Sequence, residues 1–202
     1  MARSRFSLAL STTHTVMTAK VEILKLFQQF CKLADVPINP VEFSLAAQRL
    51  GWLVKENEYA PENEVCLEVK TPFSSHPLIA VFSEHSIAGL PLFILVEDED
   101  EDDDDALYVT TREEFDDAFH KVKAEIEKAS TGAKISGTYE SGLTSGMFHY
   151  AVWPRSAWHV VLLQHFEGDA NYGHGPTLDL RLLPRSSDAN GPLFPLDTNL
   201  IF

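Results

Sequence analysis

A chain of 202 residues with 45% hydrophobic side chains is long enough to bury one sizeable core. Its formal net charge is −14, and the unbroken run Glu97, Asp98, Glu99, Asp100, Glu101, Asp102, Asp103, Asp104, Asp105 holds nine of those charges, leaving −5 for the rest. With the acidity so local and no basic stripe to release counterions, the composition weighs against nucleic acid and anionic membranes as partners, and towards a basic protein or divalent cations.

Residues 1–16 read as a flexible extension. Arg3 and Arg5 precede the apolar Phe6–Leu10, which is shorter than a signal-peptide core of about 7–15 residues and is followed by polar residues. Met17 opens the ordered pattern and is itself a plausible start. From Lys20 a wide apolar stripe through Val21, Leu24, Phe27, Cys31 and Ala34, flanked by Ile23, Leu26, Phe30 and Leu33, predicts a helix that Pro37 ends. Asn39 then has the place of an N-cap, with Pro40 first and Glu42 third in a second helix. Phe43, Ala46, Ala47 and Leu50 give that helix its buried face, and Gly51 stops it.

Beyond Gly51 the period shortens. Trp52–Val54, Val65–Val69, Leu78–Phe82 and Leu92–Val96 are β-type runs separated by Pro61, Pro72, Pro77 and Gly89. The acidic run follows directly, and Ala106–Thr110 reads as strand again. Thr111 caps a third helix with Phe115, Ala118, Phe119, Val122 and Ile126 down one face. Residues 130–142 read as a loop-rich connection. The runs Phe148–Trp153, Trp158–Glu167 and Thr177–Leu183 then form an antiparallel meander, with Pro154–Ala157 as a four-residue hairpin loop. The expectation is an α+β fold: N-terminal helices, a central mainly antiparallel sheet with one further helix, and a C-terminal antiparallel β-meander. Residues 17–183 form a single domain with a helix/strand part (17–130) and a meander part (131–183). Residues 184–202 are a tail whose Leu193, Phe194, Leu196, Ile201 and Phe202 are able to dock.

Catalytic chemistry finds little support. His149, His159, His165 and His174 cluster in sequence, but alternation along strands sends His149 to the face of Trp158 and Val160, with His159 and His165 on the other. No zinc-ligand spacing or HExxH is present. Ser141–Gly146 lacks the spacing of a nucleophile elbow, and the glycines of Gly168–Gly175 do not make a phosphate loop. Cys31 and Cys66 have no Cys or His neighbour at ligand spacing and read as free thiols of a reducing cytoplasm. No metal and no cofactor is expected. An acidic run without glycine repels itself open and does not wrap a calcium ion; it is either a solvated loop or, held between two strands, a source of field that attracts a cationic partner. Trp153 and Trp158 bracket the hairpin turn around Arg155. They are either interface anchors or a cross-strand aromatic pair, and ring exposure distinguishes the two.

A compact body without a catalytic motif, the acidic loop, and the segments FHYAVWPRSAWHVVLLQHFEGD and PTLDLRLLP together resemble the small acidic immunity proteins that accompany bacterial polymorphic and type VI secretion toxins. The resemblance covers about residues 18–183 and carries over no individual position. It implies a cytoplasmic, non-enzymatic protein that binds a cognate toxin with a basic surface and occludes its active site, a nuclease being the target that suits an acidic surface. Partner-binding residues on this reading are Glu97–Asp105 with Trp153, Arg155 and Trp158. Two alternatives stand beside it: a metal-dependent hydrolase using His159, His165, Glu167 and Asp169, and a non-catalytic adaptor module.

Overall fold

The computed structural model describes residues 12–58, 60, 64–74, 77–82, 87–95, 108–109, 111–130, 135–140, 147–166 and 176–185. Helix α1 (Thr12–Leu33) begins inside the segment expected to be an extension; residues 1–11 lie outside the described ones. Of the predicted stripe, Leu26, Phe27, Phe30, Leu33 and the following Ala34 are interior, and Ile23, Leu24 and Cys31 are half-buried. Helix α2 (Pro40–Arg49) starts as the sequence dictates: Asn39 Oδ1 accepts the Glu42 N–H at 2.8 Å. It ends in a Schellman turn. Gly51 at φ 81° donates its N–H to the Gln48 carbonyl (2.9 Å), and Trp52 donates to that of Ala47 (3.1 Å). Helix α3 (Arg112–Ala129) is capped by Thr111 Oγ1, which accepts from Glu114 N at 3.1 Å, and buries the five residues its periodicity named.

The strands are β1 (Leu53–Glu56), β2 (Val65–Lys70), β3 (Leu78–Phe82), β4 (Ile87–Leu95), β5 (Tyr108–Val109), β6 (Ile135–Glu140), β7 (Met147–Pro154), β8 (Trp158–Phe166) and β9 (Pro176–Pro184). They form one sheet in the order β1-β2-β3-β4-β9-β8-β7-β6, antiparallel throughout, with the short β5 added in parallel to the end of β4. The fold is α+β, with its helices N-terminal to each run of strands. Helix precedes a four-strand meander twice (α1 and α2 before β1–β4, α3 before β6–β9), and the two meanders join through their last strands, β4 and β9. The two parts that the sequence separates at residue 130 thus share one continuous sheet.

Two strand readings change. β4 begins at Ile87, five residues before the apolar run Leu92–Val96, and passes through Gly89 and Pro91. Gly89 is needed because the Arg181 side chain lies across it; a Cβ there would sit 3.3 Å from Arg181 Cγ. Pro91 is tolerated because the β4–β9 register shifts between Pro91 and Phe93, a bulge where a missing N–H interrupts no regular ladder. β6 falls in the segment expected to be loop. Its small polar residues hide the alternation of Ile135, Gly137 and Tyr139, and Gly137 lies under the Tyr150 ring.

The helices cover one face of the sheet. There Phe43, Phe82 and Trp158 pack ring against ring, with Leu178, Leu180, Leu182, Val160 and Leu162 beneath them. On the opposite face Val152, Val161, Leu163 and Leu183 form a second, smaller buried cluster. Among the described residues no helix is long and apolar enough to cross a membrane.

Candidate functional site

The acidic run Glu97–Asp105 and the tail 186–202 lie outside the described residues; β4 precedes the run and β5 follows it. β4 ends at Leu95, and β5 pairs with it in parallel, Ile94 opposite Tyr108 and Leu95 opposite Val109. A parallel pair cannot be closed by a tight turn and needs a connection of about a dozen residues or more. Residues 96–107 therefore leave and re-enter the sheet at neighbouring strands, about 4.8 Å apart. Two residues after β5, the Thr111 cap starts α3, and Phe115, Phe119 and Val122 lock that helix into the core. The charge is thus tied at both ends to the folded body.

Of the three hairpin residues named as anchors, the two tryptophans lie inside the protein and Arg155 stays at its surface. Trp153 and Trp158 are 2% and 0% exposed. Trp153 meets Phe27 of α1 edge-on at 5.1 Å, while Trp158 packs on Phe43 and Phe82 and donates Nε1–H to the Val36 carbonyl (3.2 Å). The rings are not available as surface anchors. The hairpin is tighter than expected: Pro154 pairs with His159, and Arg155 N–H donates to the Trp158 carbonyl (3.0 Å), leaving Ser156 and Ala157 at the tip. This register differs by two residues from a Trp153–Trp158 pairing. Two positions keep every side chain on its face, so the assignment of the histidines to faces stands.

The tip is fastened to the end of α1. Ala157 and Trp158 both donate backbone N–H groups to the Ala34 carbonyl (3.1 Å each). Asp35 accepts from Arg155 Nη2 (2.5 Å) and from Ser156 Oγ (2.7 Å). Arg155 is thereby engaged within the chain. Slight burial works against the Asp35 carboxylate, but the bonds from Arg155 and Ser156 hold its pKa below the ordinary value.

A polar cluster that the sequence reading missed lies on the second sheet face. His165, Thr177, Asp179 and Arg181 are 0%, 0%, 3% and 5% exposed. His165 Nε2 has Arg181 Nη2 at 2.6 Å, Thr177 Oγ1 at 2.8 Å and Asp179 Oδ2 at 3.0 Å, and Arg181 Nε donates to the same Asp179 oxygen at 3.0 Å. The His165 Nε2 position is thus shared among a guanidinium, a hydroxyl and a carboxylate. Nδ1 and Asp179 Oδ1 are buried with no hydrogen-bond partner among the described residues. Burial alone would raise the Asp179 pKa; the facing His165 and Arg181 outweigh it and hold the carboxyl well below the usual range. The available signal was the alternation Thr177, Asp179, Arg181 against Leu178, Leu180, Leu182, which puts opposite charges on one face of a strand whose other face is core.

Of the residues considered for a hydrolase, His159 and His165 share this face but stand six positions apart on β8, about 20 Å, too far to ligate one ion. Glu167 and Asp169 lie outside the described residues. Cys31 and Cys66 are both free thiols, and burial pushes the pKa of each up. Burial likewise pushes the Tyr139 phenol above its ordinary range, with its hydroxyl donating to the Gln164 carbonyl at 2.7 Å. No protein-family model, no curated protein and no solved structure matches the chain.

These shifts predict a two-sided pH profile. The lowered carboxyls, Asp179 and Asp35, contribute stability that is fully present above the unfolded value of about 4 and lost as pH falls below it. The raised groups, Cys31, Cys66 and Tyr139, keep protons that the unfolded chain releases, so stability declines as pH rises through about 8.5 and then 10. Thermal midpoints measured across this range should plateau near neutrality and fall on both sides; a midpoint that holds level through the alkaline arm would contradict the burial of these groups.

Proposed function

We infer that this chain is a non-catalytic binding protein, a cytoplasmic immunity protein that neutralises a cognate toxin by covering its active site. A nuclease is the toxin that fits best, since its cleft must be basic to hold phosphates. The observation that carries the reading is the placement of nine consecutive carboxylates between β4 and β5, strands that pair side by side in the sheet. Charge concentrated there raises the local potential and steers a basic surface towards one region of the protein. A free acidic tail would lack that directionality.

Trp153, Trp158 and Arg155 no longer contribute to this reading, because the core and the α1 junction use them. The acidic connection supplies attraction, and the short-range contacts that hold the partner come from surface beside it. Co-expression with a toxin-like protein encoded by the adjacent gene tests the proposal. A complex recovered at low salt and weakened by added salt, together with relief of growth arrest, is the expected result. Absence of any complex at low salt, with the toxin still active, ends the reading.

A further inference from the structure

We propose that the junction of α3 with β7 is an acid-sensitive joint, at which protonation of His149 loosens α3 from the sheet. The joint is built around Gln164 of β8, which is fully buried. Its Nε2 donates to the Phe115 carbonyl (3.0 Å) and to Asp116 Oδ1 (3.1 Å), and its Oε1 accepts the His149 backbone N–H (3.0 Å). One side chain thereby ties the first turn of α3 to β7. The His149 ring completes the contact, stacked on Phe119 (5.2 Å, 24°) with the His120 ring edge-on at 4.8 Å.

The charges around that ring are unbalanced. Helix α3 turns Arg112, Asp116, His120 and Lys123 towards it, β8 contributes the neutral Gln164, and β6 places Thr138 opposite it with Glu140 two residues further on. Asp116 is the one anion among the α3 groups. Its Oδ1 stands 4.0 Å from His149 Nε2, but the same oxygen already accepts from Arg112 (3.0 Å) and Gln164. A charged His149 would meet Arg112, Lys123 and a second imidazole against a carboxylate already engaged. Burial first, then these cations, lower the His149 pKa against the pull of Asp116. A lowered base disfavours the docked arrangement as pH falls through the ordinary histidine value of about 6.5.

Loosening here reaches β5, against which α3 also packs, and β5 anchors one end of the acidic connection. The joint stands on contacts within the chain, so it is testable without the partner that the proposed function requires.

Amide hydrogen exchange of the intact protein, compared at about pH 7.5 and about pH 5.5 after correction for intrinsic rates, is the test. In peptides covering Arg112–Ala129 the opening should increase several-fold on acidification, while peptides of β8 stay protected. His149→Phe keeps the stack on Phe119 and removes the charge, and its α3 should show no such response. His120→Gln, at an exposed position, should show a reduced one with an unchanged circular dichroism spectrum. An α3 indifferent to pH, or a response undiminished in both variants, overturns the proposal.

Discussion

Asp179→Ala is expected to cost the fold about 3–5 kcal/mol, a large part of the roughly 5–15 kcal/mol that stabilises a typical domain. The size follows from what stays behind. Arg181 is 5% exposed and donates to Asp179, and the change removes that buried carboxylate from the guanidinium and from His165 together. Replacing both partners with apolar residues of similar size, Asp179→Leu with Arg181→Met, should cost less than the single change, because the buried guanidinium is removed along with its carboxylate. Urea unfolding of the single and double variants measures this. A single variant within about 1 kcal/mol of the parent would mean that water already reaches the cluster.

Trp158→Ala should be comparably severe, about 3–5 kcal/mol, because it removes the largest fully buried side chain from between Phe43 and Phe82. The indole also carries the Val36 bond that helps tie the hairpin to the end of α1. Arg155→Ala, at the same junction, removes an ion pair whose two side chains are each 40% exposed, and should cost no more than about 1 kcal/mol. The contrast separates the core role of the tryptophan from the surface role of the arginine. Equal effects in urea unfolding would contradict it.

Much of the fold was legible because its signals are local. Asn39, Pro40, Glu42 and Gly51 bound α2 through backbone hydrogen bonds that only near neighbours supply, and Thr111 does the same for α3. The apolar faces of α1 and α3 follow from helical period alone. What stayed hidden depends on distant partners. Gly89 and Pro91 read as punctuation until Arg181 and the β9 register give them a reason to lie within a strand. Nothing in the sequence pairs β4 with β9, and the meeting of the two meanders follows from that one junction.

The candidate site divides in the same way. The acidic run is visible in any reading, since its chemistry is compositional, and the pairing of its flanking strands adds position. Trp153 and Trp158 illustrate the opposite case. Tryptophans beside a turn serve equally as anchors or as core, and only the arrival of α1 and α2 on that face of the sheet decides for the core. His165, Thr177, Asp179 and Arg181 converge from two strands, so neither strand alone announces the cluster.

The association rate with the toxin-like product of the adjacent gene tests the central claim most directly, measured for the parent and for a variant with Asp102, Asp103, Asp104 and Asp105 all changed to Asn. Exposed charges are screened over about 8 Å at physiological ionic strength, so the run acts on encounter and leaves dissociation to short-range contacts. The parent should associate faster at low salt, by about tenfold or more, and lose that advantage as salt is raised, while the variant shows a slower, flatter profile and the same dissociation rate. Identical association rates for the two proteins at low salt would contradict the account and leave the acidic run without a role in binding.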